Sequence, residues 1–418
     1  MSCLIFIKQL EHKTSWLNNG EHVLLFEFSS RSLFLCNEEL DPHWKKFATA
    51  LQADNEQRRR LRLQDQYSRE ESQRQEAECW SFQNIHLPIH ILRMLDPALV
   101  HRNICSLKLE QNHFDSMGYH FLADFLYSNT SLETLEINNN PIVGDNDVEV
   151  ARRFCGAVAD HPSLKRMCFV KTDLGRHSDI LGMILNASMN LNFLDLSRNH
   201  IDDSTAGGGS IVVEFLAGNP PLKRLSLEHN RLGNNFAIAF AQEALTQNND
   251  TNLQSMDLRG NNSIDDIGKN AVRQAQFNTT SLHATVGESN HTCNVIFDSS
   301  PAKDRFRSIN TSNSIQINKK AKILSYLRAT KRLDIVMENV PLEIMPEALA
   351  LMQNDDTRNM HDGTMRYAYD ALQRRNQRGE TEQEYEALYR LFLASRSKFT
   401  MTFEVLRMWN LPLIFTNL

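Results

Sequence analysis

No apolar run in these 418 residues approaches the ~18 that a membrane-crossing helix needs. The first apolar stretch, Cys3-Leu4-Ile5-Phe6-Ile7, is shorter than the ~7–15 residues of a secretory signal core, which predicts a cytoplasmic protein, with the nucleus as the other open compartment. Without secretion the sequons at Asn129, Asn186, Asn278 and Asn290 carry no sugar. Cysteine is scarce and scattered. Cys3, Cys36, Cys79, Cys105, Cys155, Cys168 and Cys293 form no C-x-x-C pair, so neither a disulfide framework nor a thiolate zinc site is expected, and the thiols should be free and mostly buried. An excess of positive charge is missing too: 45 Lys and Arg stand against 51 Asp and Glu, a net charge of -6 that argues against nucleic acid as the main partner. The chain has no G-x-x-x-x-G-K-[ST] phosphate loop.

What is present is enough for a core, with 41% hydrophobic and 23% charged residues. The length exceeds the ~250–300 residues at which a single core stops growing, so the chain must divide or repeat. It repeats. A pattern L-x-x-L-x-L-x-x-N-x-L reads Ile104, Leu107, Leu109, Asn112, Phe114, then Leu132, Leu135, Ile137, Asn140, Ile142, then Leu164, Met167, Phe169, Thr172, Leu174. It continues through Leu191, Leu194, Leu196, Asn199, Ile201, then Leu222, Leu225, Leu227, Asn230, Leu232, then Leu253, Met256, Leu258, Asn261 and a displaced Ile264, with a frayed seventh copy opening at Leu282. First positions step by 28, 32, 27, 31, 31 and 29 residues, so the loops vary in length.

Each L-x-L segment alternates apolar and polar residues and predicts a short strand with one face inward; stacked copies make a parallel sheet. The asparagine after each strand can bond main-chain groups of neighbouring turns, a ladder weakened where Thr172 replaces it. Helical spacing follows at Leu122, Phe125 and Leu126, at Val212, Val213, Phe215 and Leu216, and at Phe240, Ala244 and Leu245, placing helices outside the strands. These motifs resemble the ribonuclease-inhibitor type of leucine-rich-repeat proteins. The resemblance implies an α/β solenoid, a horseshoe with parallel strands on the concave side, helices on the convex side and a helical C-terminal cap. Together with Glu288-Ser289-Asn290-His291-Thr292-Cys293, Val340-Pro341-Leu342-Glu343-Ile344-Met345-Pro346-Glu347 and Met408-Trp409-Asn410-Leu411-Pro412, the repeats are similar to uncharacterised cytosolic repeat proteins of single-celled algae, a likeness that implies no activity.

An open stack needs different ends. Residues 1–79 are expected to form an N-terminal capping half-repeat, with a strand over Val23 to Phe28, helical spacing at Trp44, Phe47, Ala50 and Leu51, and a charged helical insertion at 54–77. That insertion carries Glu56/Arg60, Asp65/Arg69 and Glu70/Arg74 four apart with the acid first. The repeats should occupy 80–297, opened by a degenerate copy: a strand at Trp80 to Leu87, then a helix through Ile91, Leu92, Leu95 and Leu99. A linker is expected at 298–318 and a helical C-terminal cap at 319–418. The cap shows patterns at Lys319–Arg328 and Pro346–Met352, and a capping box at Thr381 and Glu384 ahead of the stripe Tyr385, Leu388, Tyr389, Phe392 and Leu393. The apolar stretch from Met401 to Phe415 needs cover.

A solenoid presents its strand-borne polar residues on the concave face, here Lys108, Glu110, Glu136, Asn138, Arg166, Phe193, Asp195, Arg224, Glu228, Asp257 and Arg259. This face is mixed in charge with one aromatic anchor, which suits a protein partner. No catalytic residue, cofactor or metal is expected. His86 and His90 lack a third ligand, and His291 with Cys293 reads as the packing of an end repeat, since a nucleophile would need an oriented base and an oxyanion site besides. Gly207-Gly208-Gly209 reads as an insertion tip, and Asp202-Asp203 and Asp265-Asp266 as acids favoured at helix starts. The expected function is a non-catalytic, monomeric protein-interaction scaffold that binds neither nucleic acid nor membrane. The alternative is a GTPase activator, since the Ran GTPase-activating protein is similar in repeat type, although its acidic tail has no counterpart here.

Overall fold

The computed structural model describes residues 2–19, 25–35, 38–64, 77–100, 102–142, 148–186, 190–204, 208–247, 251–281, 283–297, 310 and 314–330. Two compact units divide the chain, the first comprising Met1–Val272 and Cys293–Arg307, the second Arg273–Thr292 and Ser308–Leu418.

The first unit is built on nine strands, β1 (Leu25–Leu35), β2 (Glu78–His86), β3 (Ile104–Glu110), β4 (Thr134–Asn138), β5 (Arg166–Cys168), β6 (Phe193–Asp195), β7 (Arg224–Ser226), β8 (Ser255–Asp257) and β9 (Asn294–Ile296). Every strand pairs in parallel with the next in sequence, giving one sheet in the order β1 to β9. Parallel neighbours require crossovers. These are supplied by α2 (Asp41–Gln64), α3 (Ile89–Leu99), α4 (Ser116–Ser128), α5 (Val148–Ala159), α6 (Ser178–Asn186), α7 (Gly208–Ala217), α8 (Asn234–Ala239) and α9 (Asp266–Gln276), while α1 (Ser2–Asn18) precedes the sheet. Leu107, Leu109, Leu135, Ile137, Met167, Leu194, Leu225 and Met256 are buried against helical residues such as Leu122, Phe154, Leu181, Val212 and Phe236. At roughly 1.5–3 kcal/mol for each fully buried aliphatic side chain, these two rows supply the main cohesion between repeats. The architecture is the α/β leucine-rich-repeat solenoid that the repeat pattern predicts.

The asparagines form the expected ladder. Asn140 donates from Nδ2 to the Leu109 carbonyl at 3.0 Å and accepts at Oδ1 from the backbone N–H of Asn112 and His113. Asn230 and Asn261 repeat this, donating to Leu196 at 3.0 Å and Leu227 at 2.9 Å. At Thr172 the hydroxyl lies within reach of Phe169 O in its own repeat and of Asn199 Oδ1 in the next. Among the described residues it makes no side-chain bond back to the Asn140 turn, where the backbone bonds Asn139 N–H to Val170 O and Ile142 N–H to Thr172 O hold the repeats together.

The residue before each ladder position is left-handed: Gln111, Asn139, Lys171, Arg198 and His229 have φ between 53° and 60°, and Gly260 has φ 74°. Left-handed backbone costs an ordinary side chain on the order of 1 kcal/mol and glycine almost nothing. At Gly260 the site is doubly restricted, since a Cβ there would lie 2.3 Å from the His229 ring.

An aromatic cluster closes the N-terminal end. Phe26 stacks on Trp80 at 4.4 Å between centroids and Phe28 on Phe82 at 5.3 Å, with Phe6, Trp44 and Phe47 packed around them. Beside it Arg102, its side chain 1% exposed, makes two bonds of 2.6 Å to the Glu78 carboxylate and one of 2.9 Å to Asp54, while Arg58 Nη1 lies 3.2 Å from Glu78. Paired burial of this kind is tolerable because every charge has a partner.

Several features differ from expectation. The N-terminal apolar stretch belongs to α1, whose Phe6, Leu10 and Leu17 are buried. The last strand begins at Asn294 and pairs Val295 with Met256, whereas Ala284–Glu288 is a π-helix, so the seventh copy does not follow from Leu282, which itself lies outside the described residues. Phe240–Leu245 is a π-helix following α8. Gly208 and Gly209 are buried in the first turn of α7 and not at a tip, because a Cβ on them would come within 2.3 Å of Leu181 Cδ2 and 2.7 Å of the Asp202 carbonyl. Asp65/Arg69 and Glu70/Arg74, Pro346–Met352, the Thr381/Glu384 capping box with its stripe, and Met401 to Phe415 lie outside the described residues.

In the second unit the π-helix Ala284–Glu288 is joined by α10 (Ile315–Thr330). Asn318 Nδ2 donates to the His291 carbonyl at 2.8 Å, and His291 donates from Nε2 to the Val286 carbonyl at 2.9 Å. The buried Lys322 ammonium donates to the Asn290 carbonyl and sits 3.2 Å from His291 Nδ1. Burial, followed by the charge of Lys322, pushes the imidazole down to about 3, so it is neutral with its proton on Nε2.

Candidate functional site

Strand register aligns the polar residues in columns. One column runs Lys108, Glu136, Cys168, Asp195, Ser226 and Asp257, and another runs Arg166, Phe193 and Arg224. Parallel neighbours lie ~4.8 Å apart, so side chains in a column touch.

The contacts resolve into three groups. Lys108 Nζ is 3.3 Å and Arg166 Nε 3.6 Å from Glu136 Oε1, and the Arg166 guanidinium lies 3.7 Å from the centroid of the Phe193 ring. Next, Ser197 Oγ donates to Asp195 and lies 2.8 Å from Ser226 Oγ. Third, Arg259 bridges Asp257 at 2.6 Å and Glu228 at 3.5 Å. Arg224 is exposed beside Phe193 with no ion-pair partner among the described residues. Glu110 is in register with Asn138, whose Oδ1 accepts from the Val170 N–H at 3.4 Å. All eleven candidate residues therefore lie on the strands or immediately after them, but most of their charge is mutually cancelled.

Chemically the face is quiet. Cys168 lies in its middle, yet burial, the largest influence, pushes its thiol up to about 12, too high to supply thiolate. Burial also raises the Cys293 thiol. His90 is bound by Asp41 at 3.0 Å instead of facing His86. Among the described residues no three His, Cys, Asp or Glu side chains group as a metal site, and no helix is long and apolar enough to cross a membrane.

A feature absent from the sequence reading lies along the turn edge. Lys171, Arg198 and His229 occupy successive left-handed positions, their backbone N–H groups bonded to Ser197, Glu228 and Arg259 carbonyls of the next repeat at 3.0, 2.8 and 2.7 Å. The signal that could have found it is the column before the ladder asparagine, read as a unit across the repeats.

A leucine-rich-repeat family profile matches residues 128–150 and 187–205. The chain carries leucine-rich repeats. Among solved structures, the leucine-rich-repeat-containing protein LegL7 of Legionella pneumophila is similar over 64% of this chain and 87% of its own, at 14% identity and a TM-score of 0.34. No curated protein matches the chain in sequence. The two profile matches fall on repeats whose ladder residues are Asn140 and Asn199.

Proposed function

We propose that this leucine-rich-repeat protein is a non-catalytic scaffold that binds a protein partner through its strand face, acting as a cytoplasmic monomer. The observation that carries this reading is Phe193, half-buried between Arg166, which also pairs with Glu136, and the exposed Arg224 in one column. Aromatic and arginine side chains carry much of the energy at protein interfaces, and surrounding groups of low net charge serve as a rim. The thiol that lies within the face is held protonated, which supports recognition over catalysis. Affinity capture from source-cell lysate, comparing wild type with Glu136→Ala/Phe193→Ala/Glu228→Ala, tests it. A protein retained by wild type and lost by the folded variant is the expected result. An identical set of retained proteins would remove the strand face as the site.

A further inference from the structure

We propose that the turn edge of the repeats is a second docking surface, formed by Lys171, Arg198 and Arg231 with His200 and His229, and that it takes an acidic segment of a protein partner. The proposal rests on the protein-interaction reading but names a different surface and a different chemistry. Lys171 and Arg198 occupy the left-handed residue of neighbouring turns, and Arg231 bonds from its N–H to the Ile201 carbonyl of the repeat before it at 2.8 Å. All three are exposed, and adjacent turns stack at the ~4.8 Å spacing of parallel strands.

Charge separates this edge from the strand face. On the strands Lys108, Arg166 and Arg259 are each within ion-pair reach of a carboxylate, and of the four candidate cations there Arg224 is the exception among the described residues. On the edge the nearby acids have other partners: Asp173 lies 3.5 Å from His200 Nε2, Glu228 lies 3.5 Å from His229 Nε2 and equally far from Arg259, and Asp202, bridge-paired through its backbone with Arg231, accepts at Oδ1 from the Ser204 N–H and hydroxyl. Lys171, Arg198 and Arg231 have no ion-pair partner among the described residues. A carboxylate partner therefore gains three contacts there without first breaking one.

The backbone fixes the spacing of these cations. A left-handed turn favours glycine or asparagine, which stand at Gly260 and Asn139 in the same column. Lysine and arginine at two such positions, like Gln111 and His229 at two others, are held there by the repeat's turn geometry, which fixes where their side chains leave the edge. The stripe is short, holds three cations without an ion-pair partner among the described residues, has no Phe, Tyr or Trp for base stacking, and belongs to a chain of net charge -6. Those properties fit an acidic peptide better than RNA.

The test measures fluorescence anisotropy of a labelled deca-glutamate peptide with the full chain at low salt. Wild type should bind and weaken as salt rises. The Lys171→Asn/Arg198→Asn/Arg231→Gln variant should bind at least about tenfold more weakly. Its asparagines suit the left-handed backbone, so its melting temperature should not fall and lost binding cannot be assigned to unfolding. Lys108→Ala/Arg166→Ala on the strand face should retain wild-type affinity for the peptide. Absence of peptide binding by wild type, unchanged affinity in the edge variant, or tighter binding of a ten-nucleotide single-stranded RNA would each overturn the proposal. None of these outcomes bears on the strand face, which is scored separately by capture with the Phe193 variant.

Discussion

The Arg166 guanidinium covers the Phe193 ring at 3.7 Å from its centroid while its Nε stays 3.6 Å from the Glu136 carboxylate. One cation thus holds an aromatic ring and an acid from the strands on either side of it. Because the group is partly solvated, the contact should be worth only about 0.5 kcal/mol to the fold. A double-mutant cycle of Arg166→Ala and Phe193→Ala, followed by urea unfolding, should give a coupling of about that size. Strictly additive losses would mean the two side chains are neighbours without interaction.

Removing a rung of the ladder should cost far more. Asn199 donates to the Phe169 and Ser197 carbonyls and accepts from the Thr172 N–H, all buried. Asn199→Ala strands those groups and should lower stability by about 2–3 kcal/mol. Thr172→Asn supplies the rung that is missing and should raise it by about 1 kcal/mol, with an amide able to reach the Ile137 carbonyl as its counterparts reach Leu109 and Phe169. Chemical denaturation of both variants checks the pair, and a destabilising Thr172→Asn would show that the site lacks room for the amide.

Arg102 is the keystone of the N-terminal charge network. Arg102→Met leaves Glu78 and Asp54 buried with only Arg58 to answer them, and should cost about 3–5 kcal/mol. The loss should appear in thermal melting. A double variant, Arg102→Met with Glu78→Gln, should recover part of it, whereas a merely packing role for arginine predicts no recovery.

Acid should weaken the second unit before its carboxylates titrate. His291 is neutral in the fold, pushed down to about 3 from an ordinary 6.5 by burial and then by Lys322. The unfolded chain therefore takes up a proton that the folded chain refuses. Stability is complete above about pH 6.5 and falls progressively as pH drops toward about 3. His161 in the first unit is shifted in the same direction by burial. Unfolding monitored between about pH 7.5 and 4.5 should slope downward, and His291→Asn should flatten part of that slope. An unaltered slope would place the linkage in other groups.

Much of the fold was legible because period-two apolar residues and a recurrent asparagine report local geometry directly. Leu107, Leu109 and Asn112 define a strand and its turn without any knowledge of distant contacts. α1 escaped notice because Phe6 sits in a short apolar run whose Ile5 is exposed, while Leu10 and Leu17 stand among polar residues, and Phe6 is recognised as core only against Phe28 and Trp44. Leu282 misled for the opposite reason: its spacing suits the motif, while the pairing partner of Met256 turns out to be Val295, beyond the π-helix Ala284–Glu288. At the candidate site, positions were legible and energetics were not. Lys108 and Glu136 each read as an available charge until register sets them 3.3 Å apart. The left-handed turns leave only Asn139 and Gly260 as sequence traces, since Gln111, Lys171, Arg198 and His229 adopt that backbone against their own preference.

Because each strand pairs only with its neighbours in sequence, the first unit behaves as a linear chain of coupled segments, and its cooperativity depends on its weakest junction. The step from the Asn140 turn to the Thr172 turn lacks a ladder rung, and main-chain bonds with the 3.4 Å bond from the Val170 N–H to Asn138 Oδ1 connect the two turns. Segments on either side can open at different free energies, so backbone amides before and after this step should exchange with solvent as two separate classes.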